Sequence, residues 1–424
     1  MLKSELTYLI ISAPSIDQKS HLAGSIARAL AVFCVDEIVI FEDNEENYQQ
    51  DGLQQQQQQE EGRHQTPSSS SSGLTAYSDP SHYLAHVLSY LETPPHLRKR
   101  IFPMHPNLRT AGVLPSLDMP HHLRQNEWCD YRDGVMISSR GGNNGRQRKE
   151  KGGKHVENAT VVDTGLPQKV TIRNAELSEG TRVTVRLSSQ QGLDVDAGKE
   201  VEAELVNPSV PREEAGYYWG YSVRRCSSLS SVFTECPFDG GYDLSFGTSE
   251  RGVPISDILD RRQNKGDDDI GKFGGANSAG TLPDYKHLLL VFGGVAGLEI
   301  AVRNDRQLRD MSIRPVDTEK LFDYWVNLLP GQGSRTIRTE EAVWIGLTGL
   351  TNLVEKNRRR RDDDDDHQSN DNTSSPQVQP SQHHHVDDEP KSAQENDHEA
   401  GPEHDPGQKK KKKKKSKKEK RGLS

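Results

Sequence analysis

Asn327-Leu328-Leu329-Pro330-Gly331-Gln332-Gly333-Ser334-Arg335-Thr336-Ile337-Arg338-Thr339-Glu340-Glu341-Ala342 carries a Pro-Gly-x-Gly-Ser loop free of bulky side chains. Such a loop lets a ligand approach backbone N–H groups closely. The run 336–350 has Ala342, Ile345, Leu347 and Leu350 as its apolar residues and predicts a buried helix leaving the loop. Upstream, Leu288-Leu289-Leu290-Val291-Phe292 reads as an apolar strand ending in Gly293-Gly294. A third glycine turn, 247–252, follows the strand Tyr242-Asp243-Leu244-Ser245-Phe246. Three glycine turns at element ends suggest one small-molecule site made of backbone, suited to a nucleoside-like cofactor. Each taken alone also reads as an ordinary turn. None is a phosphate motif: GxxxxGK[ST] is absent and no GxGxxG opens a helix, which argues against P-loop enzymes and dinucleotide dehydrogenases.

The N-terminal part predicts a βαβ unit. Tyr8-Leu9-Ile10-Ile11 reads as a strand, residues 15–33 carry Leu22, Ile26, Leu30 and Phe33 at helical spacing behind a Ser15 cap, and residues 36–41 form a second strand. Units of this kind pair in parallel and bind ligands at the carboxyl edge of the sheet. Residues 44–79, with runs of Gln and Ser, are too polar to bury a core and read as a disordered insertion. A helix is expected over 81–91. From 123 to 212 the pattern turns to short alternating strands at 134–137, 169–172, 182–187 and 200–205, which predict a small β-barrel inserted in the α/β domain. Residues 141–153 and 261–281 read as mobile insertions, a helix is expected around 321–328, and the fold is expected to end near Leu353.

Over 424 residues only 32% are hydrophobic, yet the polar excess is local. Setting aside the low-complexity stretches leaves roughly 300 residues, ample for a core. A net charge of −9 would discourage nucleic-acid binding, but acidic and basic residues are blocked into separate runs, so the average misleads. Cys34, Cys129, Cys226 and Cys236 lack CxxC or zinc spacing, so no metal site is expected. No signal peptide is read at the start, and no apolar run approaches the roughly 20 residues that span a bilayer. The tail holds a lysine run, 409–415, which fits a nuclear or nucleolar address or non-specific contact with RNA phosphates.

Two further clusters carry chemistry. Arg251 could pair with a ligand carboxylate, where a charge-assisted bond is stronger than a neutral one. Segments 105–109 and 116–125 gather His105, Arg109, His121, His122 and Arg124 near a domain junction. They could contact nucleic acid, or hold the junction by hydrogen bonds. Spacing alone supports no Ser-His-Asp or Cys-His arrangement.

The blocks 22–29, 35–41, 105–125, 182–187, 218–221, 242–252, 291–299 and 330–342 resemble the SPOUT class of RNA methyltransferases. The likeness is to a eukaryotic and archaeal branch with a human centromere- and spindle-associated member. PGQGSRTIRTEEA and GYDLSFGTSERG are its most specific motifs. The resemblance implies an α/β fold: a SPOUT-type parallel sheet with a C-terminal trefoil knot, an inserted OB-like β-barrel, and disordered insertions and tail. Knotting does not follow from the pattern, and the general rule is against it. The implied division is 1–122 and 213–354 for the two parts of the α/β domain (the latter knotted), 123–212 for the barrel and 355–424 for a disordered charged tail.

The resemblance further implies S-adenosyl-L-methionine as cofactor, held by Thr248, Arg251, Gly293, Gly294, Asn327, Gln332, Gly333, Thr336 and Ile337. Arg335, Arg338 and Glu340 are the implied catalytic candidates; one arginine could instead pair with Glu340 or Glu341 and stiffen the loop. Arg28, His121, His122 and Arg124 are the candidates for RNA contact. The function implied is methylation of a base, uridine N3, in large-subunit ribosomal RNA by a nuclear or nucleolar homodimer. The competing expectation is a non-catalytic RNA-binding or kinetochore and spindle scaffold that keeps the fold. Tight cofactor binding without methyl transfer would distinguish it.

Overall fold

The computed structural model describes residues 2–5, 15–43, 75–140, 159–173, 177–188, 200–260, 283, 285–294 and 297–371. Strand β1 (Leu2–Glu5) pairs in parallel with β2 (Glu37–Phe41), and α1 (Ile16–Val32) connects them. The strand expected at 8–11 lies outside the described residues. Ser15 caps α1 as expected: its backbone is extended and its Oγ accepts the Gln18 N–H at 3.2 Å. Ala23, Ile26, Ala27 and Leu30 form the inward face and are fully buried.

Helix α2 (Pro80–Glu92) opens on Asp79, whose Oδ1 accepts the His82 N–H at 2.7 Å, with proline at the first helical position. Residues 75–79, expected inside the disordered insertion, are instead placed, and Ala76 is fully buried in the core. Residues 44–74 lie outside the described ones. A short helix, α3 (Pro95–Ile101), follows the Pro94-Pro95 stop.

Strands β3 (Tyr131–Arg140), β4 (Ala159–Asp163), β5 (Lys169–Arg173), β6 (Arg182–Leu187) and β7 (Glu200–Val206) close into a barrel in the order β3-β4-β5-β7-β6. The β5–β7 ladder is parallel and the other four are antiparallel. Val162, Val170, Ile172, Val183, Val185 and Val201 fill the interior, which is why these strands are rich in valine. Strand β4 was not singled out in the sequence. The insertions expected at 141–153 and 261–281 lie outside the described residues.

After α4 (Val210–Ala215) the chain resumes the α/β sheet with β8 (Ser222–Cys226), α5 (Leu229–Thr234), β9 (Leu244–Pro254) and α6 (Ile255–Asp260). Then come β10 (Leu288–Val291), α7 (Leu298–Asn304), α8 (Arg306–Asp310), β11 (Tyr324–Asn327) and α9 (Thr339–Asp371). The six-stranded sheet runs β11-β9-β10-β1-β2-β8 and every ladder in it is parallel. The chain therefore adds β10 on one side of β9, then crosses back to lay β11 on the other.

Two expectations need correction. Residues 321–328 are not a helix: Tyr324-Trp325-Val326, aromatic and β-branched, form the edge strand β11. The fold also does not stop near residue 355. Helix α9 continues, and Asn357, 7% exposed, donates from Nδ2 to the Tyr285 carbonyl at 2.9 Å. Among the described residues no helix is long and apolar enough to cross a membrane.

Candidate active site

The three glycine turns meet at the carboxyl edge of β9, β10 and β11. The first is an excursion within β9: Trp325 pairs with Gly247 and the next residue, Val326, with Val253, so 248–252 loop out between them. Thr248 Oγ1 donates to the Val291 carbonyl at the end of β10, at 2.9 Å. Asn327 Nδ2, at the end of β11, donates to the Glu250 carbonyl at 2.8 Å. Arg251 reaches α7 beyond the second turn, 3.7 Å from Glu299 Oε1. The first turn is thus tied to both others, so the grouping expected from the sequence is present.

Glycine is required where backbones touch. A Cβ on Gly252 would lie 2.3 Å from the Val326 carbonyl carbon, and one on Gly293 would lie 2.7 Å from the Leu298 nitrogen. Neither neighbour is a side chain that could swing aside. Gly294 and Gly297 close the second turn, the Gly297 N–H donating to the Gly294 carbonyl at 2.9 Å. In the third turn a Cβ on Gly333 would meet nothing within 4 Å, so that backbone is open to a ligand. Asn327 Oδ1 accepts the Leu329 N–H at 3.0 Å and Gln332 Nε2 donates to the Ser334 carbonyl at 3.1 Å, shaping the turn from within. Thr336 is exposed and Ile337 half-buried.

The third turn ends in the cap of α9. Glu341 Oε2 accepts the Arg338 N–H at 2.9 Å, the reach-back half of a capping box. Val343, Leu347 and Leu350 then anchor the helix in the core. Arg335 and Arg338 are exposed, and among the described residues neither guanidinium has an ion-pair partner. The stiffening pair with Glu340 or Glu341 left open by the sequence is therefore not formed. Glu340 is 8% exposed, and its buried Oε2 has no hydrogen-bond partner. Burial raises its carboxyl pKa, the neighbouring Glu341 adds to that, and the backbone bond and Arg338 offset it only in part. A carboxyl with one unpartnered buried oxygen, held towards its protonated form with Arg338 nearby, is an arrangement that perturbs titration where proton transfer is needed.

The four candidates for RNA contact are placed differently. His121 is 1% exposed, and its Nε2 lies 3.0 Å from the Glu92 carbonyl oxygen and 3.1 Å from Glu92 Oε1. His122 Nε2 lies 2.6 Å from the same carbonyl; burial first, then the His121 ring, lowers its pKa to about 4. Both rings belong to a polar junction between α2 and the barrel and are engaged by Glu92 rather than presented as an open basic surface. Arg182 of β6 joins that junction through Glu92 Oε2 at 2.6 Å and Asp133 Oδ2 at 2.5 Å. Arg28 Nη1 donates to the Leu117 carbonyl at 2.7 Å, lining a cleft of about 420 Å³ with residues 116–120. Arg124 is 77% exposed beside Glu127 and is the most accessible of the four.

A family model described as "Putative RNA methyltransferase" matches residues 7–350, spanning every sheet strand but β1, the barrel and all three turns. The chain belongs to this RNA methyltransferase family. Among curated proteins it is 39% identical over 342 residues to the human 28S rRNA (uridine-N(3))-methyltransferase, covering 81% of this chain and 75% of the relative. The protein of the same name in Drosophila melanogaster is 35% identical over 350 residues, 81% of this chain and 60% of the relative. An uncharacterized protein of Halobacterium salinarum is 27% identical over 353 residues, 81% and 95% of the two chains. In this methyltransferase, sequence reasoning did not single out Glu250, Val291 or Glu299 as partners of the turns. Those bonds join residues up to 77 positions apart and leave no local signal.

Proposed function

We propose that this RNA methyltransferase transfers a methyl group from S-adenosylmethionine to N3 of a uridine in large-subunit ribosomal RNA. The observation that carries the cofactor half is the joining of three phosphate-free glycine turns through Thr248 and Asn327. The substrate half rests on the two relatives named for uridine N3 methylation. The crossing of β11 back past β9 supports a trefoil-knotted cradle, and the barrel's strand order with one parallel closure supports an OB-like fold. A homodimer working in the nucleolus completes the reading, the lysine run supporting the location.

Open backbone at Gly333, close-packed backbone at Gly293 and the polar tips of Thr248 and Asn327 fit a nucleoside with a flexible charged arm. Gly294, Gln332, Thr336 and Ile337 would complete its walls. When bound, S-adenosylmethionine supplies an electrophilic methyl group on a sulfonium. The protein's own task is the N3 proton, which must leave as the N–C bond forms. Glu340 accepts it at the unpartnered Oε2. Arg335 or Arg338 stabilises the negative charge that develops on the uracil as its N3 proton departs and before the methyl bond is complete.

The test combines calorimetry with S-adenosylmethionine and nucleoside mass spectrometry of rRNA incubated with protein and cofactor. Cofactor uptake with new N3-methyluridine in the large-subunit RNA is expected. Uptake without methyl transfer would turn the reading towards a scaffold, and no uptake would end it.

A further inference from the structure

Helix α2 turns one face, His82, His86 and Tyr90 at four-residue spacing, towards solvent rather than into the core; all three are half-buried. The segment after α3 lays His105 and Phe102 against that face. The rings form a continuous ladder. His82 and His86 are 5.6 Å apart between centroids, His86 and His105 4.7 Å, and His86 stacks on Phe102 at 5.5 Å and 28°. Tyr90 meets Phe102 edge-on at 5.5 Å, and the Arg98 guanidinium lies 4.8 Å over the Tyr90 ring.

Asn107 ties the three imidazoles together. Asn107, 2% exposed, reaches His82 Nδ1 at 3.3 Å and His86 Nδ1 at 3.5 Å from its Nδ2, and its backbone N–H donates to His105 Nδ1 at 3.2 Å. An amide nitrogen only donates, so Nδ1 of His82 and of His86 is the accepting ring nitrogen. Burial first, then the His105 and His82 rings, brings the His86 pKa to about 4, and burial first also lowers that of His82. Two further cations come from the same segments. Lys99 and Arg109 are exposed and have no ion-pair partner among the described residues. Met104, on the same segment, is fully exposed at 104%. Nothing in the fold requires an apolar side chain there.

The ladder also has a direction. At the start of α2, Arg225 of β8 binds Asp79 and Ser81 at the carboxyl edge of the sheet, the edge that carries the cofactor turns. At the other end, Arg100 pairs with Asp163 of barrel strand β4 at 2.9 Å. Contiguous ring faces accompanied by unpaired cations match single-stranded nucleic acid: bases stack and phosphates meet the cations. The outward side of β7 is the poorer candidate, because Glu200, Glu202 and Glu204 alternate along it and face solvent.

We infer that the α2–α3 face, from His82 to Arg109, is a track for a single-stranded RNA segment running from the barrel to the carboxyl edge of the sheet. It rests on the RNA-methyltransferase reading for the identity of the polymer. Anisotropy with a fluorescent 12-residue oligouridylate, titrated across salt, tests it on the full chain. Lys99→Glu with Arg109→Glu alters only unpaired exposed side chains and is expected to weaken binding at least tenfold. Loss of two phosphate contacts should also flatten the salt slope by about 1.4. Gly293→Ala should lose cofactor uptake and keep oligonucleotide affinity, separating this track from the cofactor site. Crosslinks from 4-thiouridine should map to residues 82–109. An affinity within twofold of wild type with an unchanged slope, or crosslinks confined to the barrel, would overturn the track while leaving methyl transfer standing. Wild-type protein that takes up cofactor but no RNA would overturn both.

Discussion

Glu92→Gln should weaken the joint between the α/β sheet and the barrel, by an amount the structure allows to be worked out. The Glu92 side chain is 9% exposed and accepts from Arg182 Nη1 at 2.6 Å and Nη2 at 2.9 Å, with His121 at 3.1 Å. Burial alone would raise the carboxyl pKa, but the bonds and charges of His121 and Arg182 outweigh it and hold it at about 2 instead of 4.5. That difference makes the charged form worth about 3 kcal/mol to the folded state at neutral pH. Removing one partner of a buried pair costs about 3–5 kcal/mol, in the same range. Because the folded pKa is depressed, the contribution is present above pH 4.5 and is lost as pH falls towards about 2.

Urea unfolding followed by tryptophan fluorescence suits the measurement, since Trp219 donates to Asp133 Oδ1 at 2.9 Å inside the same junction. At pH 7 the variant should lose about 3 kcal/mol, and at pH 3 half of that or less, because below pH 4.5 the unfolded carboxyl is already protonated and folding must remove that proton. A loss under about 1 kcal/mol at pH 7, or one that does not shrink on acidification, would show that the junction does not rest on this charge.

Four other outcomes follow from the site. Gly252→Ala should cut S-adenosylmethionine affinity at least tenfold in calorimetry and destabilise by about 1–3 kcal/mol, since its Cβ would lie 2.3 Å from the Val326 carbonyl carbon. Gly333→Ala meets nothing within 4 Å and should leave the melting temperature unchanged, so any loss of cofactor affinity there reports direct backbone contact. Glu340→Gln should raise stability at pH 7 and lower methylation. A carboxyl whose folded pKa is raised weakens the fold as pH climbs above its unfolded value, and glutamine removes that cost; a variant both less stable and fully active would contradict the assignment. Arg335→Ala and Arg338→Ala, made separately, should leave melting unchanged because neither side chain has an ion-pair partner; the one whose turnover falls more than tenfold identifies the cation beside the base.

What the sequence disclosed, and what it hid, divide along a physical line. Turns 247–252, 293–294 and 330–334 are legible together because glycines recur at the ends of three elements, and the apolar run of β10 announces a strand covered on both faces. Parallel pairing followed from the βαβ pattern. The helix expected at 321–328 failed because a four-residue edge strand is too short for its period to show against the apolar residues around it. The extent of α9 failed for a related reason: charged residues after 355 look like tail, and the carbonyl that binds Asn357 belongs to Tyr285, 72 positions away.

The histidines divide most sharply. His121-His122-Leu123-Arg124 reads as a basic surface, yet Glu92 and Trp219 enclose the first ring and the Glu92 carbonyl holds the second. His82, His86 and His105 show no motif, because α2 and the later turn must fold together before the ladder exists. In both cases the residue type was readable and its exposure was not. Exposure is set by partners distant in sequence, and it decides whether a histidine holds a domain junction or meets RNA. If that is right, adding a charge at His121 should unfold the junction, whereas the same change at His105 should spare the fold and weaken RNA binding. A His105→Glu variant that melts as early as His121→Glu would place both rings in the same structural class and remove the basis for separating them.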